Sequence, residues 1–295
     1  MREDPESPLS GSIGLELAEP RVMTREELRA LDRVAVEEMG VPSILLMENA
    51  AIGATRVVTR ALDVLEPGPV VVIAGIGNNG GDGLAMARQL HLRGYGVHVL
   101  IVGRRDRLAV DAAVNLRALE TCNVRPWWGD DQDANVVYQE VLSRCVALTP
   151  AVVVDGLLGT GLSRDVEGAA LGAIRAINEA RKTGSARFVV ALDLPSGLDA
   201  DTGRPLGAAV RADATVTFAA LKMGFFTLEA QPFVGEIELC PIGVPPELTA
   251  RFGVPYDEEN AVPDRLDARN GGPGGYDPSG VGRDAGAVES GGGDR

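Results

Sequence analysis

The chain has few of the side chains that most often carry nucleophilic or metal chemistry. Among its 295 residues, His91 and His98 are the only histidines. A mechanism built on histidine would need one of these two. His91 falls in an expected helix and His98 in an expected strand, where a structural role is the plainer reading. The cysteines are Cys122, Cys145 and Cys240, with no C-x-x-C pair. This spacing argues against a disulfide framework or a zinc site and for a reducing compartment. Lys182 and Lys222 are the only lysines, so arginine supplies nearly all the positive charge. No apolar run approaches the roughly 20 residues that a membrane helix requires. The opening residues Met1 to Pro5 lack the apolar stretch of a signal peptide. A cytoplasmic location is therefore expected. The formal charge is −14 and the pI about 4.7. Such an acid surplus repels phosphate backbones and disfavours broad nucleic-acid binding. Chemistry must then rest on carboxylates, amides, hydroxyls and backbone.

Apolar residues make up 45% of the chain, enough for a sizeable core. Residues 1–22 are rich in Pro, Glu and Ser and read as a flexible leader. Thr24-x-x-Glu27 is a capping box ahead of Leu28, Leu31 and Val34. A second helix is expected from Ser43. Apolar runs of strand length then alternate with helical stretches. The runs are 70–74, 96–103, 151–155, 187–193, 214–219 and 235–242. This alternation predicts one doubly wound α/β domain over residues 23–252, with a mostly parallel sheet covered on both faces. Residues 253–295 become dominated by glycine and charge. They read as a largely disordered tail, without the apolar content to offset ordering entropy.

In a doubly wound sheet, ligands bind beyond the carboxyl ends of the strands. Three strand ends are unusually polar. The first is Gly77-Asn78-Asn79-Gly80-Gly81-Asp82-Gly83. Its glycines permit positive φ and close backbone approach, and the helix start that follows offers free N–H groups to an anion. A plain strand–helix turn needs neither two amides nor an acid. The second is "VVVDGLLGTGLSRDVEG", residues 152–168. Asp155 ends a strand that should be buried, where a carboxylate needs a cation or several donors. Gly159-Thr160-Gly161 could wrap a phosphate. The third is "VVALDLPSGLDADTG", residues 189–203, in which Asp193 and Ser196 follow a very apolar strand. Asp199 and Asp201 read as turn residues. Asn79, Asp155 and Ser196 bring hard oxygens from three strand ends, a set that suits a hard cation.

Gly75, Gly77 and Gly80 also satisfy G-x-G-x-x-G, the dinucleotide fingerprint. A redox enzyme of that kind needs an acid about 20 residues on, to hold the ribose hydroxyls. Gly103, Arg104 and Arg105 stand there instead. The arginines could meet a 2′-phosphate, which keeps an NADP-binding oxidoreductase open as an alternative. A non-catalytic nucleotide-binding scaffold is another. The retention of Asp82, Asp155 and Asp193 argues for activity.

Five segments in order carry a resemblance. They are "GVPSILLMENA" (40–50), "GNNGGDG" (77–83), "DGLLGTGLSRDVEG" (155–168), "LDLPSGLDADTG" (192–203) and "ATVTFAALKMG" (214–224). Together they closely resemble the NAD(P)H-hydrate epimerase family over about residues 23–248. The resemblance implies a Rossmann-like three-layer sandwich, often a homodimer. It implies interconversion of the R and S epimers of hydrated NADH or NADPH, a repair of damaged nicotinamide nucleotides. It places substrate contacts on Asn78, Asn79, Gly80, Gly81 and Asp82, on Gly159, Thr160, Gly161, Leu162, Ser163, Arg164 and Asp165, and on Asp193. It places one potassium ion on Asn79, Asp155 and Ser196. Asp193 is the first candidate for proton transfer and Asp82 the second. Lys222 could meet substrate or simply pack. Many family members carry a fused kinase-like dehydratase domain. The residues after about 252 are too few and too Gly-rich for one, so reliance on a separate ATP- or ADP-dependent dehydratase is expected.

Overall fold

The computed structural model describes residues 19–129 and 133–256. The leader up to residue 18 and the tail beyond 256 lie outside the described residues, as do the expectations attached to them.

The apolar runs form the sheet. Its strands are β2 (Val70–Ala74), β3 (Val97–Val102), β4 (Trp127–Gly129), β5 (Val152–Gly156), β6 (Phe188–Leu192), β7 (Ala214–Phe218) and β9 (Glu236–Cys240). They lie in the order β4-β3-β2-β5-β6-β7-β9, and every adjacent pair is parallel. Strands β2, β5, β6 and β7 are buried along their whole length. That is why β2, VVVIA, and β6, FVVAL, read as unbroken apolar runs rather than as an alternating pattern.

Helices cover both faces. Helix α2 (Ser43–Val64), α3 (Asn78–Leu92) and α4 (Val110–Thr121) pack on one side. Helices α5 (Ala134–Leu148) and α6 (Gly168–Lys182) pack on the other. Ala54, Val58, Leu84 and Leu116 belong to the first core, and Val137, Val141, Ile174 and Ile177 to the second. This is the expected three-layer α/β sandwich.

The chain leaves β2 toward β3 on one side and later returns to place β5 on the other. The order therefore reverses between β2 and β5, and a crevice opens beyond their carboxyl ends. The Gly75 N–H donates to the Gly156 carbonyl at 2.9 Å and ties those two ends together.

A second, three-stranded sheet is built from short segments. It joins β1 (Arg21–Met23), β8 (Leu221–Lys222) and β10 (Val254–Pro255) in the order β10-β1-β8. Val22 pairs with Leu221 and Met23 with Lys222. Helix α1 (Arg25–Arg33) follows β1 directly and starts on the expected capping box. The Glu27 N–H donates to Thr24 Oγ1 at 3.2 Å, and the Thr24 N–H donates to Glu27 Oε2 at 2.8 Å. A five-residue π-helical turn, Val34–Glu38, continues α1.

Candidate functional site

The first polar strand end is shaped by glycine. A methyl group at Gly75 would overlap the Leu157 carbonyl, and one at Gly80 would overlap the Gly75 carbonyl. None of Gly75, Gly77, Gly80, Gly81 and Gly83 has positive φ. Close approach between the β2 and β5 ends, not left-handed backbone, is what excludes side chains here. Gly77 is the N-cap of α3 and carries no side-chain cap. The first N–H groups of α3 are thus left toward the crevice, where the helix dipole favours an anion. Asn78 is exposed at this turn, whereas Asn79 is buried.

Asn79, Asp155 and Ser196 do converge. Asp155 is fully buried at the end of β5. It accepts from the Ser196 N–H at 2.8 Å, from Ser196 Oγ at 2.6 Å and from the Leu157 N–H at 3.2 Å. Burial raises its carboxyl to about 6, and the bonds from Ser196 and Leu157 oppose that rise. Ser196 Oγ also accepts from the Leu158 N–H at 2.8 Å. Asn79 Nδ2 donates to the Leu158 carbonyl at 3.0 Å, which leaves Asn79 Oδ1 buried without a hydrogen-bond partner. A buried amide oxygen without a partner costs free energy unless something meets it. The group is made of hard oxygens around one carboxylate, and a hard cation fits it.

Asp193 lies a few residues before Ser196, in left-handed conformation with φ of 63°. Aspartate tolerates this better than most residues, but it is a strained setting held by its surroundings. The Asp193 N–H donates to the Val216 carbonyl at 2.7 Å, and its own carbonyl accepts from Thr217 Oγ1 at 2.9 Å. The side chain is ion-paired with Lys222 Nζ. Lys222 is only 1% exposed and also donates to the Phe218 and Ala220 carbonyls, at 3.1 and 3.3 Å. Lys222 is therefore no surface residue, and its pairing with Asp193 was not foreseen.

Gly159 links the two groups. A methyl there would lie 3.3 Å from Asn79 Cβ and 3.5 Å from Asp193 Oδ2. The loop that follows is superficial. Gly161, Ser163, Arg164 and Asp165 are exposed, Thr160 and Leu162 are half-buried, and Val166 is anchored by its N–H to the Leu206 carbonyl at 3.0 Å. The described contacts bring Gly159 to Asn79 and Asp193 but leave the rest of the loop at the rim.

Asp82, in the first turns of α3, completes the cleft. Enclosure by protein pushes its carboxyl well above the usual range, and the charges of Asp193 and Asp32 push the same way. Asp32, on α1, is a member of the site that the sequence reading missed. Surrounding protein, followed by the charge of Asp193, lifts it to about 6, while Lys222 opposes. Its side chain nevertheless reaches solvent. Water reaches this exposed side chain and tempers the shift. The only signal in the sequence was an acid beside the buried Leu31.

Other motif residues hold the frame. Glu48 accepts from Arg88 at 2.6 Å and from Gln89, tying α2 to α3. Asn49 Nδ2 donates to the Ile242 carbonyl at 2.9 Å. Asp199 and Asp201 are the turn residues expected. Asp199 Oδ1 accepts from the N–H groups of Asp201 and Thr202, at 3.1 and 2.9 Å. The pair also grips α1, through Arg25 Nη2 to Asp199 at 2.5 Å and the Arg25 N–H to Asp201 at 2.7 Å.

Known proteins are similar to this chain in sequence and in fold. The family described as YjeF-related protein N-terminus matches residues 43–224. The NAD(P)H-hydrate epimerase of Rhodopirellula baltica is 37% identical over 232 residues, covering 79% of this chain and 88% of that protein. The NAD(P)H-hydrate epimerase of Limosilactobacillus reuteri is 34% identical over 217 residues, covering 74% and 93%. The bifunctional NAD(P)H-hydrate repair enzyme Nnr of Salinibacter ruber is 42% identical over 229 residues, but the chain spans only 41% of its length. The crystal structure of yeast ynu0 shares the fold with a TM-score of 0.66 at 22% identity, covering 81% of this chain and 96% of the yeast chain.

Proposed function

The chain belongs to the NAD(P)H-hydrate epimerase family, and on that premise we propose that it interconverts the R and S epimers of hydrated NADH and NADPH through the cleft at the β2–β5 switch point. The observation that carries this reading is the convergence of Asp82, Asp193 and Lys222 beside the free N-terminus of α3. Candidate proton-transfer groups beside an uncapped helix start would suit a nucleotide with a reactive ring, and this supports the reading.

The chemistry follows from the substrate. Its C6 hydroxyl sits on a carbon bonded to the ring nitrogen. When a proton reaches that oxygen, the C6–O bond breaks and water leaves. The nitrogen lone pair then forms an N1=C6 iminium. Water adds to either face of the planar carbon and loses a proton, which restores the hydrate in either configuration. Asp82, whose carboxyl is held toward its protonated form, is suited to give the first proton. Asp193, whose carboxylate is paired with Lys222, is suited to take the last. Between turnovers the proton passes back from Asp193 to Asp82, directly or through water. The strained backbone at Asp193 supports a positioned functional group. Asn78, Asn79, Gly80 and Gly81 present backbone to the phosphates, and the 159–165 loop closes the rim.

Potassium is the proposed ion, held by Asn79, Asp155 and Ser196. The unpartnered Asn79 Oδ1 and the absence of nitrogen or sulfur donors support it. A bound ion would supply positive charge beside the buried Asp155 carboxylate. A homodimer, and a functional link to an ATP- or ADP-dependent dehydratase activity, are proposed from the family resemblance. No helix among the described residues is long and apolar enough to cross a membrane, and a cytoplasmic setting is part of the proposal.

Water labelled with ¹⁸O tests the mechanism. Epimerisation by loss and return of the hydroxyl should place solvent oxygen at C6 as turnovers accumulate. Product that keeps its original oxygen through many turnovers would show that the C6–O bond stays intact and that inversion takes another route.

A further inference from the structure

The crevice lies beyond the carboxyl ends of the strands, and the opposite end of the sheet holds a cavity of its own. Strand β4 begins at Trp127, opposite Leu100 of β3. Pro126 precedes it and has no N–H with which to extend the ladder. Residues Val97–Val99, at the amino end of β3, therefore have no strand on their outer side among the described residues. The chain comes to β4 from α4 through Asn123, which is left-handed with φ of 61°. Between that segment and β3 lies a cavity of about 280 Å³, which α5 walls with Arg144 and Leu148. Small-molecule pockets begin at roughly 300 Å³. His91, in the last turn of α3, also lines it. Asn79 stands at the other end of that helix, roughly 18 Å away, so the cavity is separate from the crevice.

The lining runs against the character of the chain. The formal charge is −14, yet among the described residues no carboxylate lines the cavity, whereas His91, His98, Arg125 and Arg144 do. Both histidines of the sequence are thus gathered at one place. Neither imidazole has a hydrogen-bond partner or ion pair among the described residues, and each offers an N–H donor in any protonation state. Arg125 is exposed and gives one N–H to the Glu120 carbonyl at 2.9 Å, which leaves most of its fork for another acceptor. Arg144 differs. It donates to Glu140 at 2.8 Å and lies 5.1 Å from the centre of the Trp127 ring, so its charge is taken up and it serves as wall. Val99, Leu100 and Val124 are buried and give the cavity its apolar part. Donors without partners beside an apolar wall suit a ligand with a negative head and an apolar body.

We propose that this cavity is a second ligand site, for a small organic anion in which a carboxylate or phosphate heads an apolar body. The imidazoles of His91 and His98 and the guanidinium of Arg125 hold the head, and the body lies against Val99, Leu100 and Val124. The volume sets the scale of the ligand, a single ring or a short chain rather than a dinucleotide. The site uses no residue of the epimerase reading and stands whether or not that reading holds.

The two tryptophans of the sequence make the test local. Trp127 packs on the α5–α6 side of β4 and Trp128 on the other. The full chain, labelled with ¹⁵N, is titrated with phenyl phosphate, with benzoate and with uncharged benzyl alcohol, and the two indole N–H signals are followed by NMR. Trp127→Phe assigns them. Phenyl phosphate or benzoate should shift the Trp127 signal saturably and the Trp128 signal less, and the tighter of the two identifies the head group. Benzyl alcohol should bind at least about tenfold more weakly. His98→Gln and Arg125→Gln change exposed side chains and should each weaken anion binding by about tenfold with the fold unchanged. No saturable Trp127 shift with either anion would overturn the proposal. So would equal affinity for benzyl alcohol, or variants that bind as tightly as wild type. Shifts confined to the amides of residues 77–81 would place the anion in the crevice and count equally against it.

Discussion

At the residue scale the site divides into two jobs. Asp155, Ser196 and Asn79 form a buried oxygen group, whereas Asp193 pairs with the buried Lys222 and, with Asp82, is proposed to move protons. Substitutions should separate them. Asp193→Asn removes a proton acceptor and breaks its ion pair with Lys222. Epimerisation should fall by about 100-fold or more, the usual range for acid–base groups, while the fold and nucleotide binding persist. Near-normal turnover would move proton transfer to Asp82 or to water. Asp155→Asn should instead weaken potassium affinity, and excess potassium should restore part of the rate. A rate for that variant that does not respond to potassium concentration would contradict the ligand assignment. The thiols allow a separate check. Cys145 and Cys240 are buried, and burial lifts both thiols to about 11. Cys122 is half-buried, so a thiol reagent should modify it first by mass spectrometry. Early labelling of Cys145 or Cys240 would contradict the packing. Asn79, Asp155 and Ser196 could be picked out in the sequence because polar residues directly after apolar strands stand out. Asp32 could not. The β1–β8 pairing that sets where α1 starts joins residues about 200 positions apart, and local pattern holds no trace of that.

At the element scale, glycine sets how closely the parts approach. Gly172, in α6, lies against α5, where a methyl would overlap the Ala134 carbonyl. Gly172→Ala gains about 1 kcal/mol of helix propensity but forces the helices apart, at a cost of about 2–3 kcal/mol. The net loss of about 1–2 kcal/mol should lower Tm by roughly 2–8 °C. An unchanged or raised Tm would show that α5 can shift freely. The long apolar strands and helices α2, α3 and α4 were legible because a continuous buried run and a 3.6-residue period are strong local signals. Strand β4 and helix α5 were not foreseen. Strand β4 is three residues with two tryptophans, too short for any pattern. Helix α5 exposes Val136 and Val146 while burying Val137 and Val141, which blurs its apolar face. Strands β1 and β8 are likewise too short to declare themselves. The glycine-rich turn was located correctly, but its glycines serve close approach, and positive φ is found at Asp193 instead.

At the scale of the whole molecule, the sheet order brings distant motifs to one place. The reversal between β2 and β5 sets the α3 start beside Asp155, and β6 and β8 bring Asp193 and Lys222 to the same edge. The small sheet ties the segment before α1 to β8 and so to Lys222. The central claim is that this assembly turns over a hydrated nicotinamide nucleotide. One purified epimer of hydrated NADH, incubated with the protein and followed by chromatography of both epimers, tests it most directly. The claim predicts approach to the same R/S mixture from either pure epimer, well above the uncatalysed rate, with Asp193→Asn slowed by about 100-fold or more. Interconversion no faster than in buffer alone, by a folded wild-type chain supplied with potassium, would contradict it.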